Sequence, residues 1–183
     1  MLKLNKIINV KKIAIFAAIL MISAQSASAL NVAVVDMKKV MGEAKSAISA
    51  KGQLEAKQKE FQTQVSATEA KLQKNDQELA KQRSLLSAEA FKTKLDEFRQ
   101  QAASAQKDVQ GKQMQLRRAF ETSIMTIQER VAAIIKVVAI EKQYDLVIPA
   151  NGLLFHKDTM NITAEVLARL DKELPNMRVN FGG

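Results

Sequence analysis

Residues 79–98 read LAKQRSLLSAEAFKTKLDEF, and they decide the fold because two helical patterns meet within them. Ser87 is a residue type that caps helix N-termini, and Glu89 puts an acid in the first turn, where the helix dipole favours it. Leu79 and Phe98 lie at nearly equal distances on either side of position 88. Because a chain that reverses there brings these two side chains level, the stretch predicts the tip of a helical hairpin.

Two apolar stripes lead away from this tip at heptad-like spacing. The stripe before the tip comprises Ala47, Leu54, Phe61, Val65, Leu72, Leu79 and Leu86. The stripe after it comprises Phe91, Leu95, Phe98, Ala102, Ala105, Val109, Leu116, Phe120, Ile124, Ile127, Val131, Ile134 and Val138. Level pairs across the hairpin have positions that sum to 177. About 40 residues per helix at 1.5 Å each predict an arm roughly 60 Å long.

Polar residues interrupt the first stripe at four places: Gln58, Thr68, Asn75 and Gln82. A stable coiled coil keeps its seam positions apolar, so this seam is sparse by comparison. We therefore expect the arm to flex.

A small β-sheet is expected to join the two ends of the chain. Residues 32–35 (VAVV) are a short β-branched run that predicts a buried strand. Residues 144–148 (YDLVI) and 153–156 (LLFH) are two further apolar runs, separated by the turn pair Asn151-Gly152. This arrangement predicts a β-hairpin.

Helical spacing returns after these strands. Residues 162–174 carry it, Asn161 or Thr163 is available as a cap, and Pro175 stops the helix. We expect the tail that follows, up to Gly183, to be loose.

Together these patterns predict one α+β domain over residues 30–183. Its small β-sheet body has a long antiparallel α-helical hairpin inserted between the first strand and the C-terminal β-hairpin and helix. The arm spans residues 43–130, and residues 30–42 and 131–183 make the body and oligomerisation region. A sheet this small cannot bury a large core alone, so we expect self-association.

Residues 1–29 have the three-part layout of a cleaved export signal. The positive first part holds four lysines: Lys3, Lys6, Lys11 and Lys12. An apolar run over residues 13–22 follows, and Ala27-Ser28-Ala29 is a cleavage site of the small-x-small type. The run is shorter than the roughly 20 residues that span a bilayer. We expect cleavage after Ala29 and a soluble mature protein that begins at Leu30.

The charge balance is mildly basic. The chain has 28 basic and 19 acidic residues, a net charge of +9, and the loss of the four leader lysines lowers it to +5. An excess of this size favours loose attraction to anionic surfaces over one specific partner. The chain has no cysteine, so neither a disulfide framework nor a lipid-anchored cysteine is available.

Patterns for catalysis and metal binding are missing from the sequence. His156 is the one histidine, and it has no cysteine or acidic cluster beside it with which to complete a tetrahedral metal site. The six glycines are scattered and form no phosphate-binding loop. We therefore expect no enzymatic activity, no cofactor and no metal.

The arm carries two sets of candidate binding residues. Met114 and Met125 lie off the apolar stripe, and thioethers adapt to varied apolar surfaces, so these two are candidates for contact with a client polypeptide. Core packing near the body explains Met125 equally well. Lys107 and Arg118 are eleven residues apart, or three helical turns, with Arg117 beside Arg118. This basic strip is suited to phosphates or acidic segments.

The mature chain as a whole resembles the Skp/OmpH family. The resemblance is sharpest over residues 144–167, where YDLVI, the Ala150-Asn151 pair and NITAEVL are similar to family patterns. The arm is similar to the family in its long helical pattern more than in the identity of its residues. The chain departs from the family at Pro149 and in the extra tail after Leu174, and these departures bear on the geometry of the predicted β-hairpin.

The resemblance implies a jellyfish-like homotrimer, with three helical arms around a cavity. It implies an ATP-independent periplasmic holdase chaperone that binds unfolded outer-membrane β-barrel proteins, prevents their aggregation and aids their delivery to the outer membrane. It also implies a lipopolysaccharide site at Lys107, Arg117 and Arg118, where a lysine is followed at ten and eleven positions by arginines.

Two other classes of protein fit parts of the sequence. A periplasmic coiled-coil scaffold or adaptor is one, although a scaffold is expected to have a continuous apolar seam. A basic nucleic-acid-binding protein is the other, but the basic strip has few aromatic side chains for base stacking. The export signal also disfavours it, so we expect no specific nucleic-acid partner.

Overall fold

The computed structural model describes residues 30–182, so the predicted export signal lies outside the described residues. In chain order the elements are β1 (Val32–Val35), α1 (Met37–Glu43), α2 (Lys45–Gln82), α3 (Ala88–Lys142), β2 (Leu146–Pro149), a short 3-10 helix (Asp158–Met160) and α4 (Thr163–Glu173). The predicted α+β class, a long helical hairpin with a small sheet, is confirmed.

Helices α2 and α3 form the predicted hairpin. Ser87 caps α3, because its Oγ accepts a hydrogen bond of 3.2 Å from the amide of Ala90, and Glu89 lies in the first turn. Leu79 and Phe98 line the same gap between the two helices, as the predicted register requires. The cap and the two apolar stripes are therefore enough to locate the tip and align the helices.

Helix α1 was not expected from the sequence. Asp36 ends β1 and caps α1, since its Oδ1 accepts a hydrogen bond of 2.9 Å from the amide of Lys39. The amide of Asp36 in turn donates to Thr163 Oγ1 at 2.8 Å, and Asn161 Oδ1 accepts the Thr163 amide at 2.9 Å. These bonds tie the start of α4 to the end of β1.

The sheet corrects the prediction of a C-terminal β-hairpin. Strand β2 pairs with β1 in parallel, with Val34 opposite Ile148, and the described residues contain no strand over 153–156. Pro149 ends β2 without an amide hydrogen, so it cannot donate the bond that would close a hairpin there. The other edge of β1 is taken by Asn161, which forms a parallel bridge with Val34. The first strand is therefore central.

The core lies where the last part of α3 meets the sheet and α4. The buried residues of α3 share one face: Ala119, Ser123, Ile127, Val131, Ile134 and Val138. Ala33 and Val35 of β1 and Val166 and Leu170 of α4 belong to the same cluster. Burying one aliphatic side chain of this size contributes about 1.5–3 kcal/mol, so this cluster is the main source of stability in the body.

The prediction of a loose tail after α4 is wrong. Residues 175–182, called here the C-terminal segment, lie along the root of the hairpin. Met177 and Val179 are only 8% and 6% exposed and belong to the core cluster. Position near the end of a sequence carries no information about the apolar surface that a segment meets, and here such a surface exists.

Candidate functional site

The distal part of the arm is loosely packed. From residue 62 to residue 118, all of which the structure describes, Leu79 is the one buried residue. Gaps of about 170 and 290 Å³ lie along the seam, one beside Phe98 and the other beside Leu72. Both gaps are open to solvent, and the half-buried side chains along them show that the seam is covered less completely than a core. Its apolar side chains are available to a partner.

One polar interruption of the seam, Asn75, cross-links the two helices. Asn75 Nδ2 on α2 donates a hydrogen bond of 3.0 Å to Gln101 Oε1 on α3. This pair lines the smaller gap and replaces the apolar contact that a coiled coil would make there. A single exposed hydrogen bond contributes only about 0.5–1.5 kcal/mol, so it aligns the helices without closing the seam tightly.

An open groove lies at the root of the hairpin, between the start of α2 and α3. Its volume is about 490 Å³, and its apolar lining consists of Met41, Ala47, Ile48, Ala50, Leu54, Phe120, Ile124 and Ile127. Phe120, predicted within the apolar stripe, is 51% exposed, while Ala119 and Ser123 occupy the buried positions beside it. An exposed phenylalanine beside half-buried aliphatic side chains is a surface suited to an apolar partner.

Four of the five predicted binding residues share one face of α3. Lys107, Met114, Arg118 and Met125 are spaced by seven, four and seven residues along an unbroken helix, and all four are exposed. We call them the α3 stripe. Met125 is 59% exposed, which excludes its packing in the core. The stripe alternates cationic and thioether side chains along roughly 27 Å of helix.

Arg117, the remaining predicted residue, points elsewhere. It is displaced by about 100° around the helix from Arg118, and its Nε lies 4.0 Å from Glu121 Oε1. The structure therefore divides the predicted basic strip. Lys107 and Arg118 share the α3 stripe, whereas Arg117 is paired with an acid on an adjacent face.

The body presents a second apolar surface. Its large exposed apolar side chains come from the end of α3, from β2 and from the loop after it: Val137, Ile140, Leu146, Leu153, Leu154 and Phe155. In the described part of the chain β2 pairs with β1 alone, so its other edge is open. An unpaired strand edge beside exposed apolar side chains is a template for association with another chain.

Ion pairs fasten α4 to the end of α3 beside this surface. Arg169 donates to Glu141 Oε2 and to Glu165 Oε1, and Lys142 Nζ lies 3.3 Å from Glu165 Oε2. The hydrogen bond from Arg169 lowers the pKa of Glu141 below its ordinary value. Partial burial acts to raise the pKa of Glu165, but hydrogen bonds from Arg169 and Lys142 outweigh it and lower that pKa. Both carboxylates are therefore held in the charged form.

Within residues 30–182 no group of three or more histidine, cysteine, aspartate or glutamate side chains is arranged to hold a metal ion. His156 Nδ1 lies 3.2 Å from the carbonyl oxygen of Lys157, next to it in the chain. Over the same described range, none of the helices has the length and hydropathy needed to cross a membrane.

A long helical hairpin inserted into a small α+β body defines the class of protein. The model of the outer membrane protein (OmpH-like) family matches residues 31–170 of this chain, so the chain belongs to the OmpH-like family, as its resemblance to Skp/OmpH predicted. A similar solved structure is that of a candidate outer membrane chaperone (OmpH-like) from Caulobacter crescentus CB15. It superposes with a TM-score of 0.76 at 12% identity, covering 82% of this chain and 89% of that one. A search of the curated proteins finds no significant match.

Proposed function

We propose that this protein is an ATP-independent periplasmic holdase chaperone. It binds unfolded outer-membrane β-barrel proteins, prevents their aggregation and aids their delivery to the outer membrane. The observation that carries the proposal is the distal arm, in which a 57-residue stretch buries Leu79 alone while its apolar stripe stays half exposed. Membership of the OmpH-like family supports the same function.

The loose seam suits a client that has no fixed structure. Apolar side chains that are half exposed and only weakly held by the opposite helix can shift to contact many different sequences. Each such contact is weak, but several arms acting on one client raise the overall affinity by increasing the effective concentration of binding sites. No nucleotide is required, because binding and release follow from the balance of weak contacts.

We assign the assembly to the body. Residues 30–42 and 131–183 form the oligomerisation region, and residues 43–130 form the arm. The open edge of β2, with the exposed side chains of Ile140 and Phe155, supports association of three copies into a jellyfish-like homotrimer with the arms around a cavity. Residues 1–29 are the signal that exports the chain to the periplasm and is removed there.

The α3 stripe is the proposed contact surface for clients and for anionic groups such as lipopolysaccharide phosphates. Met114 and Met125 supply adaptable apolar contacts, and Lys107 and Arg118 supply positive charge on the same face. Arg117 takes part only if it leaves Glu121.

A light-scattering experiment tests the proposal. A urea-unfolded outer-membrane β-barrel protein is diluted into buffer that contains residues 30–183 and no nucleotide, and native mass spectrometry reports the stoichiometry. We expect suppressed scattering and soluble complexes with three chaperone chains per client. Undiminished aggregation without a complex would instead favour a periplasmic coiled-coil scaffold.

A matched pair of variants separates assembly from client contact. Ile140 on the body and Leu85 at the tip of the arm are both largely exposed, at 70% and 79%. Ile140→Asp is expected to dissociate the trimer without unfolding the chain, whereas Leu85→Asp is expected to leave the mass of the assembly unchanged. Equal masses for the two variants would remove Ile140 from the interface.

A further inference from the structure

The C-terminal segment is held at the root of the hairpin by hydrogen bonds to its backbone as well as by its buried apolar side chains. Gln53 on α2 pairs with it as a neighbouring strand would: Nε2 donates to the Met177 carbonyl, and Oε1 accepts the Val179 amide at 3.1 Å. On α3, Gln115 Nε2 donates to the carbonyl of Phe181 and, at 2.8 Å, to that of Gly182. Bonds to backbone groups do not depend on which side chains the segment carries, so any extended segment can make them.

Side chains of the segment alternate between two environments. Met177 and Val179 are buried against the hairpin and Phe181 is half buried, whereas Arg178 and Asn180 are exposed. This is the period of two that an extended chain shows when one face is covered. The apolar side chains of the segment thus lie in a groove between α2 and α3, which we call the segment groove.

An aromatic position and a neighbouring open cavity lie at the end of the segment groove. Lys57 Nζ lies 5.9 Å from the centre of the Phe181 ring and 5.0 Å from that of Phe61, distances typical of cation–π contacts. A shallow, open cavity of about 550 Å³ lies along α3 beside the end of the segment, and Met114 and Arg118 help to line it. The segment groove is therefore next to the α3 stripe.

We propose that the segment groove is a binding site for extended polypeptide segments with alternating apolar and polar residues, and that the C-terminal segment occupies it as an intramolecular competitor. Alternation of this kind, with aromatic residues near the ends, is the pattern of transmembrane β-strands. The inference rests on the proposed holdase function and deepens it, since it names unfolded β-strand segments as the ligand. A client strand binds by displacing residues 175–182.

Competition of this kind weakens the observed affinity for an external peptide. A short tether gives the segment an effective concentration of about 1 mM, so a segment whose own Kd for the groove is on the order of 100 µM weakens the binding of a free peptide about tenfold. Release of the segment removes this penalty. The expected change is therefore large enough to measure with a labelled peptide.

The first test uses full-length mature chains, residues 30–183, and a fluorescent peptide with the sequence of residues 175–182, PNMRVNFG. In the release variant V179S/F181S two of the three apolar contacts are removed, and in the control N176S/R178S two exposed residues of the same segment are changed. We expect the release variant to bind the peptide about tenfold more tightly than wild type, as measured by fluorescence anisotropy. The control protein is expected to bind the peptide as wild type does. The release variant is expected to bind the phase-broken peptide PNRMNVFG several-fold more weakly than the first peptide.

The second test holds the segment in place and does not depend on the folding of the release variant. Thr122 and Asn180 line the same cavity, and the chain has no native cysteine, so T122C/N180C can be joined by a short bis-maleimide linker. We expect the linked protein to lose peptide binding relative to the unlinked double variant. Equal affinities before and after linking, or equal affinities for the two peptides, would overturn the inference.

Light scattering on the same samples separates this inference from the proposed function. Suppressed aggregation of a β-barrel client with no effect of release or linking on peptide binding would leave the holdase function standing and remove the segment groove as a ligand site. Peptide binding that follows release, with no suppression of aggregation by any variant, would retain the groove and remove the holdase function.

Discussion

The root and the distal part of the arm use the same apolar spacing but bury it to different depths. At the root, α3 buries six residues between Ala119 and Val138, at intervals of three or four. From residue 62 to residue 118 the spacing is equally regular, yet Leu79 alone is buried. One helix, α3, therefore runs from a rigid core into a loosely held arm without any break in its hydrogen bonding.

The difference comes from the number of neighbours. At the root, α3 packs against α2, α4, the sheet and the C-terminal segment, so its apolar face is covered from several sides. On the tip side of Gly111, where the C-terminal segment no longer lies along α3, each helix has the other as its one neighbour among the described residues, and two helices cover only one stripe of each other. Rigidity in a long hairpin is thus supplied by additional elements, and a region without them is packed more loosely.

The largest expected effect comes from truncating the root. Ile134 is 2% exposed, and Ile134→Ala is expected to lower the free energy of unfolding by about 2–5 kcal/mol because it leaves a cavity in the core. The matched change Leu95→Ala, at a half-buried position of the distal stripe, is expected to cost less than about 1 kcal/mol, since little apolar area is lost. Urea denaturation at a fixed protein concentration measures both. Equal losses would show that the distal seam is packed as tightly as the core.

A smaller effect is expected from closing the distal seam. Replacing the Asn75–Gln101 pair by leucine in N75L/Q101L fills the gap beside it and is expected to stabilise the arm by about 0.5–2 kcal/mol. Hydrogen exchange of the arm amides is expected to slow, and suppression of client aggregation to weaken, because the apolar side chains are then committed to each other. The control Q73L/Q100L changes two exposed positions of the same helices. If N75L/Q101L suppresses client aggregation as well as wild type does, the loose packing of the seam is not required for client binding.

The smallest effect concerns the ion pairs at the root and depends on pH. The pKa values of Glu141 and Glu165 are lowered from 4.5, so their contribution to stability is present above that pH and is lost as the pH falls through the lowered values. Arg169→Gln is therefore expected to lower the Tm slightly at pH 7 and to have no effect once both carboxylates are protonated. Thermal unfolding of wild type and variant from pH 7 down to pH 3 measures this difference. A difference that grows as the pH falls would show that the pairs do not stabilise the root.

The hairpin tip shows which features of the fold the sequence alone can predict. Ser87, Glu89 and the level pair Leu79 and Phe98 located the turn and the register, because a helix cap and an apolar stripe are set by residues close together in the chain. The position of each candidate binding residue around α3 was predictable from the same local periodicity. Helical periodicity places Lys107 and Arg118 on one face and Arg117 on another. The spacing of ten and eleven residues between the lysine and the two arginines does not by itself show this separation.

Tertiary structure decided the features that depend on distant parts of the chain. The parallel pairing of β2 with β1, in place of a β-hairpin, joins segments that lie far apart in the chain, and Asn161 occupies the other edge of β1. The course of residues 175–182 depends on a groove that α2 and α3 create only after they meet. By itself the sequence determined where the helices run and which faces are apolar, since those are local properties of the chain. The depth to which each face is buried was decided by the fold, because burial depends on every element that packs against it.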